Sequence, residues 1–146
     1  MTTRNFVLTI GILYLLVGLA GFVPALSSAP PVGAPTLAAD TAYGYLLGLF
    51  PVNGLHNLFH LGIGIWALSA YRSLPKSITF SRGLAILYGL LTVMGLIPAL
   101  NTAFGWIPLF GHDVWLHAAT AAIAAYVGYA GAAETVRLRW ETRRVS

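Results

Sequence analysis

Charge is scarce in this chain and cysteine is missing. Of 146 residues, 58% are hydrophobic and only 8% are charged, with a mean hydropathy of +0.78. A water-soluble domain carries about 25% charged residues. Charge this sparse cannot cover a water-facing surface, so an integral membrane protein is expected. The absence of cysteine excludes disulfide frameworks and thiolate metal sites. Methionine occurs twice, too seldom for a soft Cu(I) site. Acidic residues number four, which leaves a net charge of +4 and a pI of about 9.8. The basic residues flank apolar runs and form no stripe with interleaved aromatics, so nucleic acid is not an expected partner. No serine neighbours the histidines in a nucleophile elbow, and serine-nucleophile catalysis has no support.

Four apolar segments approach the roughly 20 helical residues that a bilayer core requires. They fall at about 6–26, 52–71, 83–101 and 113–133. The first resembles a signal peptide, with Arg4 before an apolar run and a small-residue stretch after it. Its apolar run is longer than the 7–15 residues usual for such a leader. It also recurs: ILYLLVGLAGFVPAL (12–26) matches ILYGLLTVMGLIPAL (86–100), 74 residues further on, at eight of fifteen positions. A segment duplicated as the third span is expected to be retained, not cleaved.

A second duplication concerns the histidines. GLFPVNGLHNLFH (48–60) lines up with GWIPLFGHDVWLH (105–117), 57 residues apart. Gly48, Pro51, Gly54 and His60 meet Gly105, Pro108, Gly111 and His117, while His56 meets Asp113. The two spacings differ by 17 residues, the extra length of a first outer loop at roughly 27–47. That loop is rich in Pro, Ala and Ser and reads as an irregular excursion. YGYLLGLF (43–50) after it reads as an interfacial stretch with tyrosines at headgroup depth.

The expected fold is all-α: an integral membrane four-helix bundle, one domain over residues 1–146. Repeat one covers about 6–71, repeat two about 83–133, and a basic tail spans 134–146. Each repeat crosses out and back, so the repeats are parallel and related by a pseudo-twofold axis along the membrane normal. All eight Lys and Arg fall at the N-terminus, in a 72–82 loop or in the tail. By the positive-inside rule both termini are cytoplasmic. The tail, with Trp140 among arginines, reads as a continuation of the last helix along the inner surface.

Residues four apart share a helix face. His56 with His60, and Asp113 with His117, therefore form two ligand-bearing faces. Below them, Gly64 and Ala67 on helix two and Ala121, Ala124 and Gly128 on helix four suggest a close seam between those two helices. Three readings fit the polar cluster. Imidazole and carboxylate suit a transition metal such as Zn²⁺, Fe²⁺, Mn²⁺ or Cu²⁺, with Asn53 and Asn57 as second-shell donors. Alternatively, His60 and His117 are axial ligands to haem or another tetrapyrrole. In the third reading the polar groups only satisfy one another. His112 stands off the Asp113/His117 face and reads as an interfacial histidine. Tyr14 and Tyr88, matched in the first duplication, read as packing aromatics. No reaction or substrate is selected by these residues, and a non-catalytic subunit contacting another membrane protein or a second copy through the 27–47 loop is the competing function.

FPVNGLHNLFHLGIG together with NTAFGWIPLFGHDVWLHAATA resembles a family of small bacterial four-span membrane proteins, known as domain of unknown function 4383. The resemblance covers most of the chain. It implies the four-span fold and residence in a bacterial inner membrane, and it brings no activity.

Overall fold

The computed structural model describes residues 2–145, and they are mostly helical. Four helices, α1 (Thr3–Ala20), α2 (Gly54–Ala70), α3 (Leu74–Leu96) and α4 (His112–Val145), carry the fold. Helices α1 and α3 are long and apolar enough to cross a membrane. Thr2 caps α1, its hydroxyl accepting from the Asn5 amide at 3.2 Å. The helix stops at Ala20, short of residue 26. Pro24 has no N–H to donate to the Ala20 carbonyl, and it forces Val23 into an extended conformation (φ −94°, ψ 108°). Pro98 ends α3 the same way, with Ile97 at φ −98° and ψ 114°.

The connection between α2 and α3 is only the turn Tyr71–Ser73. Pro75 sits in the first turn of α3, where a missing N–H is harmless, and starts that helix at Leu74. The expected 72–82 loop is thus largely helical: Lys76 and Arg82 stand on α3. The Arg82 guanidinium lies over the Tyr129 ring of α4, 5.0 Å from its centre. Helix α4 runs 34 residues, about 51 Å at 1.5 Å per residue. The expected helical course of the tail agrees with it.

The first outer loop is more ordered than its composition indicates. Three short antiparallel strands, β1 (Ser27–Ser28), β2 (Gly44–Leu46) and β3 (Phe50–Val52), form a sheet in the order β1-β2-β3. The register pairs Ser27 with Leu46 and Tyr45 with Pro51. Pro51 is tolerated because β3 is an edge strand. The YGYLLGLF stretch, expected at headgroup depth, folds as a hairpin of β2 and β3. Its turn places Leu47 and Gly48 in the left-handed region (φ 53° and 71°). Phe104 and Gly105, at the equivalent point of the second connection, do likewise (φ 60° and 90°). The two outer connections are tied together where the Ala38 and Ala39 amides donate to the Gly105 carbonyl at 2.8 and 3.1 Å.

Helix α1 packs chiefly on α2, and α3 on α4. The core combines Phe6 and Val7 of α1, Ile63 and Ala67 of α2, Phe80, Leu84 and Tyr88 of α3, and Ala124 and Val127 of α4. The small residues serve seams different from the expected one. A Cβ on Gly11 would lie 3.0 Å from the Ala67 Cβ, and one on Gly64 would lie 3.0 Å from the Gly11 carbonyl. Gly128 faces Ser81 and Arg82 of α3. The close approaches are α1 to α2 and α3 to α4, not α2 to α4. Periodicity shows which face is small, but not which neighbour occupies it.

Candidate metal centre

Asn53 begins the site by ending strand β3 and starting α2. Its backbone is extended, and its side-chain oxygen accepts from the His56 amide at 2.9 Å. The same side chain donates through Nδ2 to the Ala39 carbonyl (2.7 Å) and the Trp106 carbonyl (2.8 Å). One fully buried amide therefore caps α2 and holds both outer connections over the helix ends. This fixes the height and rotation at which His56 enters the bundle.

Helix α4 starts at His112 after the left-handed Gly111 (φ 66°), which places Asp113 in its first turn. His56, Asp113 and His117 are 4%, 2% and 2% exposed, and one ligand atom from each lies within 4.8 Å of the other two. The His56 Nδ1 stands 3.6 Å from the Asp113 Oδ2. That is beyond hydrogen-bonding range. Neither atom has a hydrogen-bond partner, nor do the Nδ1 atoms of His60 and His117. Buried polar atoms are normally satisfied. Three of the four residues, His56, Asp113 and His117, bring their ligand atoms together, a set of buried donors without hydrogen-bond partners.

His60 stands beside this trio. Its ring centre is 4.4 Å from that of His56, and it is buried, but it does not belong to the three-residue group. Asn57 is fully buried and turned toward α1, against Gly21, where neither amide atom finds a partner. His112 is exposed at the start of α4 and meets the Phe50 ring edge-on at 6.3 Å.

Two residues of the site were read from sequence only as packing groups. Tyr14 packs edge-on against His60 at 5.3 Å, and Tyr88 against His117 at 5.0 Å. The two tyrosines meet each other at 5.6 Å. Their signal in the sequence is their match in the first duplication: a phenol at the same position of two aliphatic-rich segments, 12–26 and 86–100.

A family model described as "Domain of unknown function (DUF4383)" matches residues 4–130. The chain belongs to this family. The match takes in both helix pairs and every residue of the cluster, so the site lies inside the DUF4383 domain. No curated protein and no solved structure matches the chain.

Chemically, the DUF4383 cluster offers two imidazoles and one carboxylate. Donors around a tetrahedral Zn²⁺ lie roughly 3.3 Å apart, given metal–nitrogen distances of about 2.0–2.1 Å. The present spacing of up to 4.8 Å is wider, so the side chains would have to draw together around an ion. Three protein ligands would leave one position of a tetrahedral ion open, as catalytic sites do. His60 lies beside this group, its ring tilted 40° to that of His56.

Proposed function

We propose that this protein is a four-span membrane protein that holds one first-row transition-metal ion among His56, Asp113 and His117, with His60 as a further ligand. The observation that carries this reading is the buried group of three ligand atoms within 4.8 Å of one another. Their lack of hydrogen-bond partners supports it: a cation accounts for buried lone pairs that nothing else satisfies. A metal site made only of His and Asp favours Zn²⁺, Fe²⁺, Mn²⁺ or Cu²⁺. With His60 bound a tetrahedral Zn²⁺ site would be closed, whereas Fe²⁺ or Mn²⁺ would keep further positions for redox or hydrolytic chemistry.

Membrane residence is supported by α1 and α3 and by the apolar side chains turned outward on all four helices. Leu13, Leu16, Phe59, Ile65, Ile86, Leu90 and Ile123 are each about half or more exposed. So large an apolar exterior fits lipid, not water. The Lys and Arg gathered toward the two termini and the α2–α3 end support the reading of a bacterial inner-membrane protein with both termini inside.

The parallel-repeat architecture is part of the same proposal. Residues matched in the duplications adopt the same conformation: Val23 and Ile97, Leu47 and Phe104, Gly48 and Gly105. The contacts Tyr14–His60 and Tyr88–His117 are also matched. Around a twofold axis, matched residues touch one another only close to the axis. Tyr14 with Tyr88, and His56 with Asp113, do so, which supports an ion close to such an axis. These same rings weigh against the tetrapyrrole reading. A macrocycle between His60 and His117 would have to displace the tyrosines packed on them.

Elemental analysis with an absorption spectrum of the purified protein tests the reading. About one metal ion per chain, lost in His56→Ala, Asp113→Ala and His117→Ala, is the expected result. A Soret band lost in His60→Ala would replace the ion with haem. A folded, colourless and metal-free protein would leave the cluster a purely structural one.

A further inference from the structure

At the opposite end of the bundle from the metal centre lies a pocket of about 470 Å³, lined by Thr2, Arg4, Asn5, Leu8, Tyr71 and Leu74. Its lining combines the exposed polar residues Thr2, Arg4 and Asn5 with the half-buried Leu8 and Leu74. None of its lining residues is acidic.

Tyr71 organises the cations. The Arg4 Nε donates to the Tyr71 carbonyl at 3.0 Å, bridging the start of α1 to the end of α2. The Arg72 Nε donates to the Tyr71 hydroxyl at 3.1 Å, and its guanidinium carbon lies 5.7 Å from the centre of that ring. Each guanidinium is thus oriented through its Nε. The paired terminal nitrogens, which form the fork that grips phosphate oxygens, remain free of that duty. Lys76, on the first turns of α3, adds a third cation at the same end.

We infer that this pocket seats the phosphate-bearing headgroup of an anionic phospholipid from the leaflet on the side of the termini. This rests on the membrane reading. The Arg4 fork takes the phosphate, the Arg72 guanidinium held on Tyr71 at the edge of the pocket adds positive charge, and Leu8 and Leu74 take the first methylenes of an acyl chain. A basic pocket between helices at the cytoplasmic side is a chemistry that anionic headgroups recognise. The apolar wall favours a lipid over a free anion.

The experiment uses the full chain. Membranes from expressing cells are first extracted at alkaline pH. The chain is then purified in nonionic detergent, given an equal mixture of phosphatidylglycerol and phosphatidylcholine, and examined by native mass spectrometry for retained lipid. Retention of phosphatidylglycerol over phosphatidylcholine is expected, falling about fivefold in Arg4→Gln and again in Arg72→Gln. Arg144→Gln, on the distant end of α4, should leave it unchanged. Because Arg4 also braces Tyr71, Arg72→Gln and Arg4→Lys serve as variants that spare the helix contact or the charge. The thermal transition of each is recorded. Equal retention of the two lipids, or an equal loss in Arg144→Gln, would overturn the site in favour of diffuse attraction. Displacement of the lipid by millimolar inorganic phosphate would overturn the lipid assignment. A chain released by alkaline extraction would defeat the membrane reading itself, and this inference with it.

Discussion

The two copies of the histidine motif, 48–60 and 105–117, differ at three informative places. Both make a left-handed turn two residues long, both bury the proline that follows, and both set a histidine against a tyrosine of the preceding helix. In the first copy, however, Asn53, His56 and Asn57 stand where the second has Phe110, Asp113 and Val114. The shared positions build the scaffold and supply His60 and His117; among the differing ones, His56 and Asp113 complete the donor set. Four imidazoles on a symmetric scaffold would surround a divalent ion with neutral donors only. Replacing one with a carboxylate supplies negative charge in a site closed to water, where an uncompensated cation is costly.

Exchanging the copies is the strongest way to break the comparison. His56→Asp or Asp113→His alone changes the donor set and should weaken metal binding by more than the roughly 10–100-fold that loss of a second-shell partner costs. The double variant His56→Asp/Asp113→His restores two nitrogens and one oxygen with the helices exchanged. Binding should recover to within about tenfold of the parent, measured by competition with a chromophoric chelator. If the double variant is as weak as the singles, the two helices are not interchangeable around the ion.

Asn53 tests the second difference. Asn53→Ala removes a helix cap worth about 1 kcal/mol and leaves the Ala39 and Trp106 carbonyls without their donor. A loss of about 2–4 kcal/mol is expected on denaturant unfolding in detergent. Metal affinity should fall with it, because the same residue sets the start of α2. Asn53→Asp keeps the cap but cannot donate, so it should recover only the capping part.

Much of this was legible from the sequence, and the failures have physical causes. The i,i+4 spacing put His56 with His60 and Asp113 with His117 on common faces, and the structure brings three of the four into one group. Which helix each face would meet was not legible, because Gly64 and Ala67 suit any close neighbour. They meet α1. The outer sheet was invisible because strands of two or three residues have no measurable alternation. Asn53 was read as a second-shell donor although Asn directly before an apolar helix is a capping signal. The start of α3 was misplaced because Lys76 and Arg82 lowered the local hydropathy within what is still a helix.

Gly95 and Gly21, matched in the first duplication, compare the two inter-helix contacts near the site. A Cβ at Gly95 would strike the Leu109 carbonyl and lie 2.9 Å from the Val114 side chain. Backbone cannot swing away, so Gly95→Ala should cost about 1–3 kcal/mol. At Gly21 the obstacle is the Asn57 amide, the far end of a side chain. Gly21→Ala should therefore cost less than Gly95→Ala in the same unfolding assay, and combining it with Asn57→Ala should recover most of the loss.

The last prediction follows from Asn57 and its match, Val114. Both side chains pack against the matched glycine of the preceding helix, but valine asks for no hydrogen bond there. The Asn57 amide leaves both Nδ2 and Oδ1 unpartnered at full burial. An unsatisfied buried polar group carries a desolvation penalty of about 1–3 kcal/mol. Valine has a similar volume, so Asn57→Val should stabilise the fold by about 1 kcal/mol or more, read as a raised denaturant midpoint at unchanged slope. Metal content should remain that of the parent, since the amide faces α1 and not the ligand trio. Destabilisation by Asn57→Val would show that the amide has a partner such as a buried water. Destabilisation together with loss of the ion would place that partner in the metal site and return Asn57 to the second shell.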